Sequence, residues 1–255
     1  ALMMADKAVA ATPKKGGSLR YGTGFGSTTD TLDPGTFENS MATNIGMSFG
    51  NHLTEIGSDG QLRPELAESY ESTDGKTWVF NLRQGVEFHN GKTLTSDDVI
   101  ATYEYHSGEN SKSAAKGLLS QVVSMSADGP NRVIFELKAP NAGFPYIVSD
   151  YHLLILPSVD GKIDPQSGIG TGGYIIETFE PGVRATFNRN PNYWKDGAAH
   201  FDQIELIALL DTTARQNAVM TGDVDAIDRV DPKTVALLAR VPTLEILEVA
   251  GTLHY

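Results

Sequence analysis

Cysteine is absent from all 255 residues. That excludes disulfides, thiolate nucleophiles and cysteine-ligated zinc. No run of about 18 apolar residues occurs, so no segment has the length and polarity of a membrane-crossing helix. Basic residues are outnumbered, 20 against 32 acidic, giving a net charge of -12 and a pI near 4.9. Such a surface repels a phosphate backbone, so no nucleic acid is expected as a partner.

Several chemical signatures are also missing. No phosphate loop of the G-x-x-x-x-G-K-[ST] type and no G-x-S-x-G nucleophile elbow is present. The six histidines, His52, His89, His106, His152, His200 and His254, show no metal-ligand spacing. Gly168 to Gly173 fits G-x-G-x-x-G. A dinucleotide site needs that motif between a strand and a helix, so that the helix N-terminus receives the pyrophosphate. Here Asp164-Pro165-Gln166-Ser167 precedes it and strand-like Tyr174-Ile175-Ile176 follows, so it reads as a flexible link. Asp97-Asp98 and Asp223/Asp225 have capping and turn explanations. Catalytic carboxylates need not be neighbours in sequence, however, so a hydrolase stays open as an alternative.

What is present is an ordinary globular composition, 40% hydrophobic and 20% charged. The length suits two compact units, or one with an insertion. Ala8-Val9-Ala10 resembles the tail of a secretory signal, followed by a solvated lead-in at Lys14 to Gly17. Ser18 to Gly22 is a strand candidate. It opens into the glycine- and hydroxyl-rich loop Thr23-Gly24-Phe25-Gly26-Ser27-Thr28-Thr29-Asp30. A helix is expected over Asn44 to Leu53, burying Ile45, Met47, Phe49 and Leu53.

The middle of the chain reads as hairpins. Asp59-Gly60, Asp74-Gly75 and Asn90-Gly91 are turn dipeptides. Trp78, Phe80 and Leu82 alternate at the strand period, as do Val133, Phe135 and Leu137. Val86 to His89 is expected to pair back across Gln84-Gly85. Thr95-Ser96-Asp97-Asp98 is a capping box opening a helix, with both acids at its positive end. Leu153 to Pro157 reads as a buried strand. Strands follow at Tyr174 to Phe179, Ala185 to Asn188 and Gln203 to Leu209. A helix starts near Asp211 and stops before Gly222, a second starts at Asp231-Pro232, and a last strand covers Leu244 to Val249.

One ordered string carries a family resemblance: Pro64-Glu65-Leu66-Ala67-Glu68-Ser69-Tyr70, Trp78 to Arg83, Gly85-Val86-Glu87-Phe88-His89-Asn90-Gly91 and Leu94-Thr95-Ser96-Asp97-Asp98-Val99. It closely resembles the family 5 extracellular solute-binding proteins, the oligopeptide, dipeptide and nickel binders of ABC transporters. Leu32-Asp33-Pro34, Gly170-Thr171-Gly172-Gly173-Tyr174, Asn190-Pro191-Asn192-Tyr193-Trp194, Arg215 and Gly222-Asp223-Val224-Asp225 match further family elements. Gly173 stands where the family has proline, which implies a looser link.

The resemblance implies an α/β periplasmic-binding-protein-like type II lobe with an inserted antiparallel hairpin-rich subdomain. Residues 1–50 and 173–255 are expected to form the lobe and 51–172 the insertion. The second lobe is expected to be absent, the chain being the N-terminal half of a longer secreted protein. Missing sheet partners would then leave an isolated fragment prone to aggregation. The implied function is extracytoplasmic capture of a small ligand, most often a peptide, for a membrane-embedded ABC permease. The whole protein is expected to be a monomer with no cofactor, no metal and no enzymatic activity. A ligand-presenting sensory or chemotaxis protein is the other alternative. Phe25, Gly26, Ser27, Thr28 and Thr29 are expected to line the ligand cleft. Asp150, Tyr151 and His152 are expected at its rim, with Asp150 suited to a cationic or amine-bearing ligand.

Overall fold

The computed structural model describes residues 13–247. The secretory-signal-like Ala8-Val9-Ala10 lies outside them. In chain order the elements are β1 (Ser18–Thr23), α1 (Ser40–Phe49), β2 (Thr54–Ile56), β3 (Leu62–Pro64), β4 (Ala67–Glu71), β5 (Thr77–Leu82), α2 (Ser96–Ser107), β6 (Val122–Ala127), β7 (Arg132–Leu137), α3 (Phe144–Ile147), β8 (Ser158–Val159), β9 (Lys162–Ile163), β10 (Tyr174–Glu180), β11 (Arg184–Arg189), β12 (Gln203–Ala208), α4 (Thr212–Thr221), β13 (Ala226–Ile227) and α5 (Val235–Leu238).

Two sheets organise them. A five-stranded mixed sheet has the order β10-β11-β12-β1-β13. In it β1 is parallel to both β12 and β13, while β11 runs antiparallel to both β10 and β12. The second sheet, β4-β5-β7-β6, is antiparallel. Two short hairpins, β2–β3 and β8–β9, complete the set.

Alternation builds the antiparallel sheet's inner face. Trp78, Phe80 and Leu82 of β5 and Val133, Phe135 and Leu137 of β7 are buried, while their neighbours are half-exposed. Phe135 is the centre of an aromatic cluster, edge-on to Phe80 at 5.5 Å and to Tyr103 of α2 at 5.1 Å. Burying each such ring is worth about 2–3 kcal/mol. Leu53, Leu66, Val99, Leu153 and Ile155 belong to the same core. A second core joins the mixed sheet to α1. Met41, Ala42, Ile45 and Phe49 form the helix stripe, and Ala185, Phe187 and Leu206 the sheet face.

The segment Leu153-Leu154-Ile155-Leu156 is fully buried but belongs to no sheet. Its side chains alternate between the cores. Leu153 and Ile155 enter the antiparallel sheet's core, and Leu154 and Leu156 enter the mixed sheet's. Its amides bond outward instead of to a ladder: Ile155 donates to the Asn51 carbonyl and Leu156 to Thr102 Oγ1. The strand expected there is therefore a buried spacer, whose apolar run reports two neighbouring cores.

The expected helix at Asn44 begins four residues earlier. Asn39 is its cap, accepting from the Ala42 amide at 3.1 Å. It stops at Gly50, so Leu53 is buried beyond its end and Met47 faces solvent. Val86 to His89 pairs forward across Asn90-Gly91, with Phe88 bonding Lys92 and Leu94 bonding Val86, rather than back onto β5. Asp231-Pro232 opens a turn, and only one helical turn, α5, follows. Leu244 to Leu247 is not a strand, and residues 248–249 lie outside the described range.

The glycine-rich link is buried, not loose. A Cβ on Gly172 would sit 2.4 Å from the Phe49 carbonyl carbon and 2.6 Å from the Ser48 oxygen. The absent side chain lets the link lie directly on the end of α1, where the Gly172 amide donates to the Phe49 carbonyl at 2.8 Å. His89 and Asn190 secure the Gly172 carbonyl from the other side. The motif then runs into β10, so no helix N-terminus is available for a pyrophosphate.

Candidate functional site

In β1, β12 and β13 all chains run the same way, so their carboxyl ends meet at one edge of the mixed sheet. Thr23 to Asp30, Leu209 to Asp211 and Asp228-Arg229 leave the sheet there. The β10–β11 turn, Pro181 to Val183, reaches the same edge, because Arg184 pairs with Ile207. β12 and β13 flank β1, and α4 carries the chain from one to the other. The outer side of such carboxyl ends, where the strand order reverses, is where open α/β sheets hold ligands.

The loop at this edge is rigidly made. Asp30 accepts from the Ser27 amide at 2.8 Å and from Asn39 Nδ2 at 2.6 Å, tying the loop to the cap of α1. Ser27 and Thr29 share a hydroxyl hydrogen bond of 2.7 Å. Gly26 and Gly182 give the close approach of loop to sheet: a Cβ on Gly26 would meet Ala208 Cβ at 2.9 Å, and one on Gly182 the Ser27 carbonyl carbon at 2.6 Å. The absent side chains thus let the loop lie against the sheet and the β10–β11 turn. Phe25, Thr28 and Thr29 remain exposed.

Beneath the loop, Asp228 accepts from the Gly24 amide at 2.7 Å and Thr23 Oγ1 at 3.0 Å. Arg215 of α4, buried, lies 3.8 Å from the same carboxylate. Its guanidinium also donates to the carbonyls of Leu209, Asp228 and Arg229. Arg215 was legible only as a family match, and Asp228 and Arg229 gave no signal of their own. The rule about parallel carboxyl ends would have found them, since they directly follow β13.

The second expected group, Asp150 to His152, is held by its own contacts. His152 Nδ1 is 2.7 Å from Asp150 Oδ1, and its Nε2 donates to the Phe37 carbonyl at 3.0 Å. The Asp150 carboxylate also accepts from the His152 amide. Burial pushes the Asp150 carboxyl up, but the His152 hydrogen bonds and the neighbouring His152 and His52 charges outweigh it, leaving it below its ordinary value. The Tyr151 ring stacks 3.9 Å from His152. Asp150 and His152 thus direct their bonds at each other and at Phe37, not at the loop of residues 25–29.

Behind them sit further polar groups. His106 binds Ser113 Oγ at 2.6 Å, and its imidazole is driven down to about 4 by burial and by His152, with Asp150 opposing. Among the described residues no cluster of three or more histidine, aspartate or glutamate side chains is arranged to hold a metal. No described helix is long and apolar enough to cross a membrane.

Residues 61–255 match the sequence profile of the bacterial extracellular solute-binding proteins, family 5 Middle. Protein XP55 of Streptomyces lividans is 33% identical over 175 residues, 66% of this chain and 32% of that protein. The peptidoglycan-binding protein YepA of Agrobacterium fabrum is 31% identical over 83% of this chain and 38% of its own length. Among solved structures, AgaA of A. tumefaciens R10 in complex with agropinic acid superposes with a TM-score of 0.82 at 29% identity, over 89% of this chain and 46% of that one. DppA of Helicobacter pylori in complex with the peptide STSA has a TM-score of 0.80 at 20% identity, a likeness of fold, over 90% of this chain and half of that one. The chain spans less than half the length of these curated relatives. Fold, profile and relatives agree: the chain belongs to the bacterial extracellular solute-binding proteins of family 5.

Proposed function

We propose that the protein captures a small ligand, a peptide or peptide-like compound, outside the cytoplasm and delivers it to a membrane-embedded ABC permease without chemical change. The observation that carries this reading is the carboxyl edge of the mixed sheet. It presents an ordered, partly exposed loop, Phe25 to Thr29, in a chain whose fold is shared with binders of agropinic acid and of a peptide. The whole protein acts as a monomer, and a second lobe closes over this edge.

In this reading Phe25, Gly26, Ser27, Thr28 and Thr29 face the ligand from one side. Asp150, Tyr151 and His152 border it, with the Asp150 carboxylate, a quarter exposed, offered to an ammonium group. Residues 1–50 and 173–255 form the first lobe, and 51–172 the inserted subdomain. The division into two cores supports that boundary. Because Leu154, Leu156 and Ile163 pack into the mixed sheet's core, the boundary is a seam of shared side chains.

Native mass spectrometry of the full-length protein tests the function. A retained small ligand, released unchanged on denaturation, is the expected result. A product chemically altered by incubation with the protein would instead mark an enzyme.

A further inference from the structure

Three properties set Arg229 apart. It is a non-glycine residue with φ +50, a region that side chains avoid and that occurs where the surroundings over-determine the backbone. The cause is visible: buried Arg215 holds the carbonyls of Asp228 and Arg229, at 3.2 Å each. That grip turns the chain at the end of β13 and sends the Arg229 side chain over the loop after β1. There its guanidinium carbon stands 4.0 Å from the centre of the Phe25 ring.

The second property is its electrostatic isolation. In a chain of net charge -12, no described carboxylate comes within ion-pair distance of Arg229. The nearby acids are committed to internal donors: Asp228 to Gly24, Thr23 and Arg215, and Asp30 to Ser27 and Asn39. The third property is exposure. Both Arg229 and Phe25 are exposed, so burial gives neither a reason to be there. A guanidinium stacked on a ring keeps its edge donors free, in the planar fork that fits a carboxylate.

We infer that the Arg229–Phe25 stack is an anion-recognition point on the ligand-facing edge of this lobe, and that the ligand presents a carboxylate to it. Phe25 fixes the guanidinium's orientation and Arg215 fixes its backbone. The acidic remainder of the surface repels anions elsewhere, so the point selects where the ligand's negative end goes. This rests on the reading that the carboxyl edge is the ligand surface.

The test uses the full-length protein and titrates glutathione, tri-alanine and Met-Leu, each as the free acid and as the C-terminal amide, into wild type and Arg229→Gln. Wild type should bind at least one acid about tenfold or more tighter than its amide, the usual worth of a charged hydrogen-bonded pair. Arg229→Gln should lose that preference while its unfolding midpoint stays within a degree or so of wild type. Arg229→Lys, which keeps charge but not the fork, should fall between them and serves if the glutamine variant is unstable. Equal binding of acid and amide by wild type, or a preference that survives in both variants, overturns the inference and leaves the capture function standing. If wild type binds no member of the panel, the peptide-capture reading fails and this inference fails with it.

Discussion

Arg215 lays its guanidinium against the backbone of Gly24, so close that a Cβ on Gly24 would sit 3.0 Å from the guanidinium carbon. Through this contact α4 determines the shape of the loop after β1, although the two are nearly two hundred residues apart in sequence. Arg215 satisfies three carbonyls from two loops at once, and its charge faces Asp228.

Arg215→Ala would leave those carbonyls without their donor and the part-buried Asp228 carboxylate without its charge partner. The loss should be about 3 kcal/mol, typical of breaking a buried pair from one side. Arg215→Lys should recover less than half of it, because an ammonium cannot reach several carbonyls as a fork does. Urea unfolding midpoints of the three proteins measure both numbers, and equal midpoints for alanine and wild type would refute the role.

Gly172→Ala separates a packed link from a flexible one. A flexible glycine gains stability on replacement by alanine, through the unfolded chain, by about 0.4–1 kcal/mol. Here the new methyl meets backbone at 2.4 Å, so a loss of at least about 2 kcal/mol is expected. Differential scanning calorimetry decides by the sign of the change in melting temperature.

His106 predicts the acid limb of stability. Its imidazole is held neutral by burial, at about 4 against 6.5 in the unfolded chain. The stability is therefore fully present above pH 6.5 and is lost as pH falls from there toward about 4. It totals about 3 kcal/mol at about 1.4 kcal/mol per pH unit. His89, lowered chiefly by burial, adds in the same direction. Unfolding free energies at pH 7 and pH 5 should differ more in wild type than in His106→Phe. Parallel pH profiles for the two proteins would show that another group sets the limb.

Asp150→Asn has two readouts. Loss of the His152 pair should lower stability, since the imidazole is buried and loses an acceptor charge. If Asp150 also meets the ligand, affinity for a peptide with a free amino terminus should fall by about 1.5–3 kcal/mol. A change in affinity below about 0.3 kcal/mol, alongside the stability loss, would confine Asp150 to holding His152.

Much of this was readable in the residues because the signals were local. Asp74-Gly75 and Asn90-Gly91 place positive-φ glycines at turns, and Trp78, Phe80 and Leu82 point inward as their alternation requires. What escaped was set by neighbours distant in sequence. The apolar run at Leu153 announced burial, but not that two cores share it. The cap at Asn39 was hidden because the apolar stripe is strongest later in α1. The glycines at 170 and 172 looked like freedom and serve contact with Phe49. Of the candidate site, the loop after β1 drew notice through its glycine and hydroxyl content. Arg229 was not, because its position depends on Arg215 and on the crossover over β1.

In the proposed function the carboxyl edge of the mixed sheet, at Phe25 to Thr29, faces the ligand. Thr28 is exposed there, so a large side chain should cost the fold little. Calorimetric titration of the full-length protein with its co-purified ligand, in wild type and Thr28→Trp, tests it most directly. Binding should weaken about tenfold or more, with an unchanged unfolding midpoint. Wild-type affinity in the tryptophan variant would place the ligand elsewhere and contradict it.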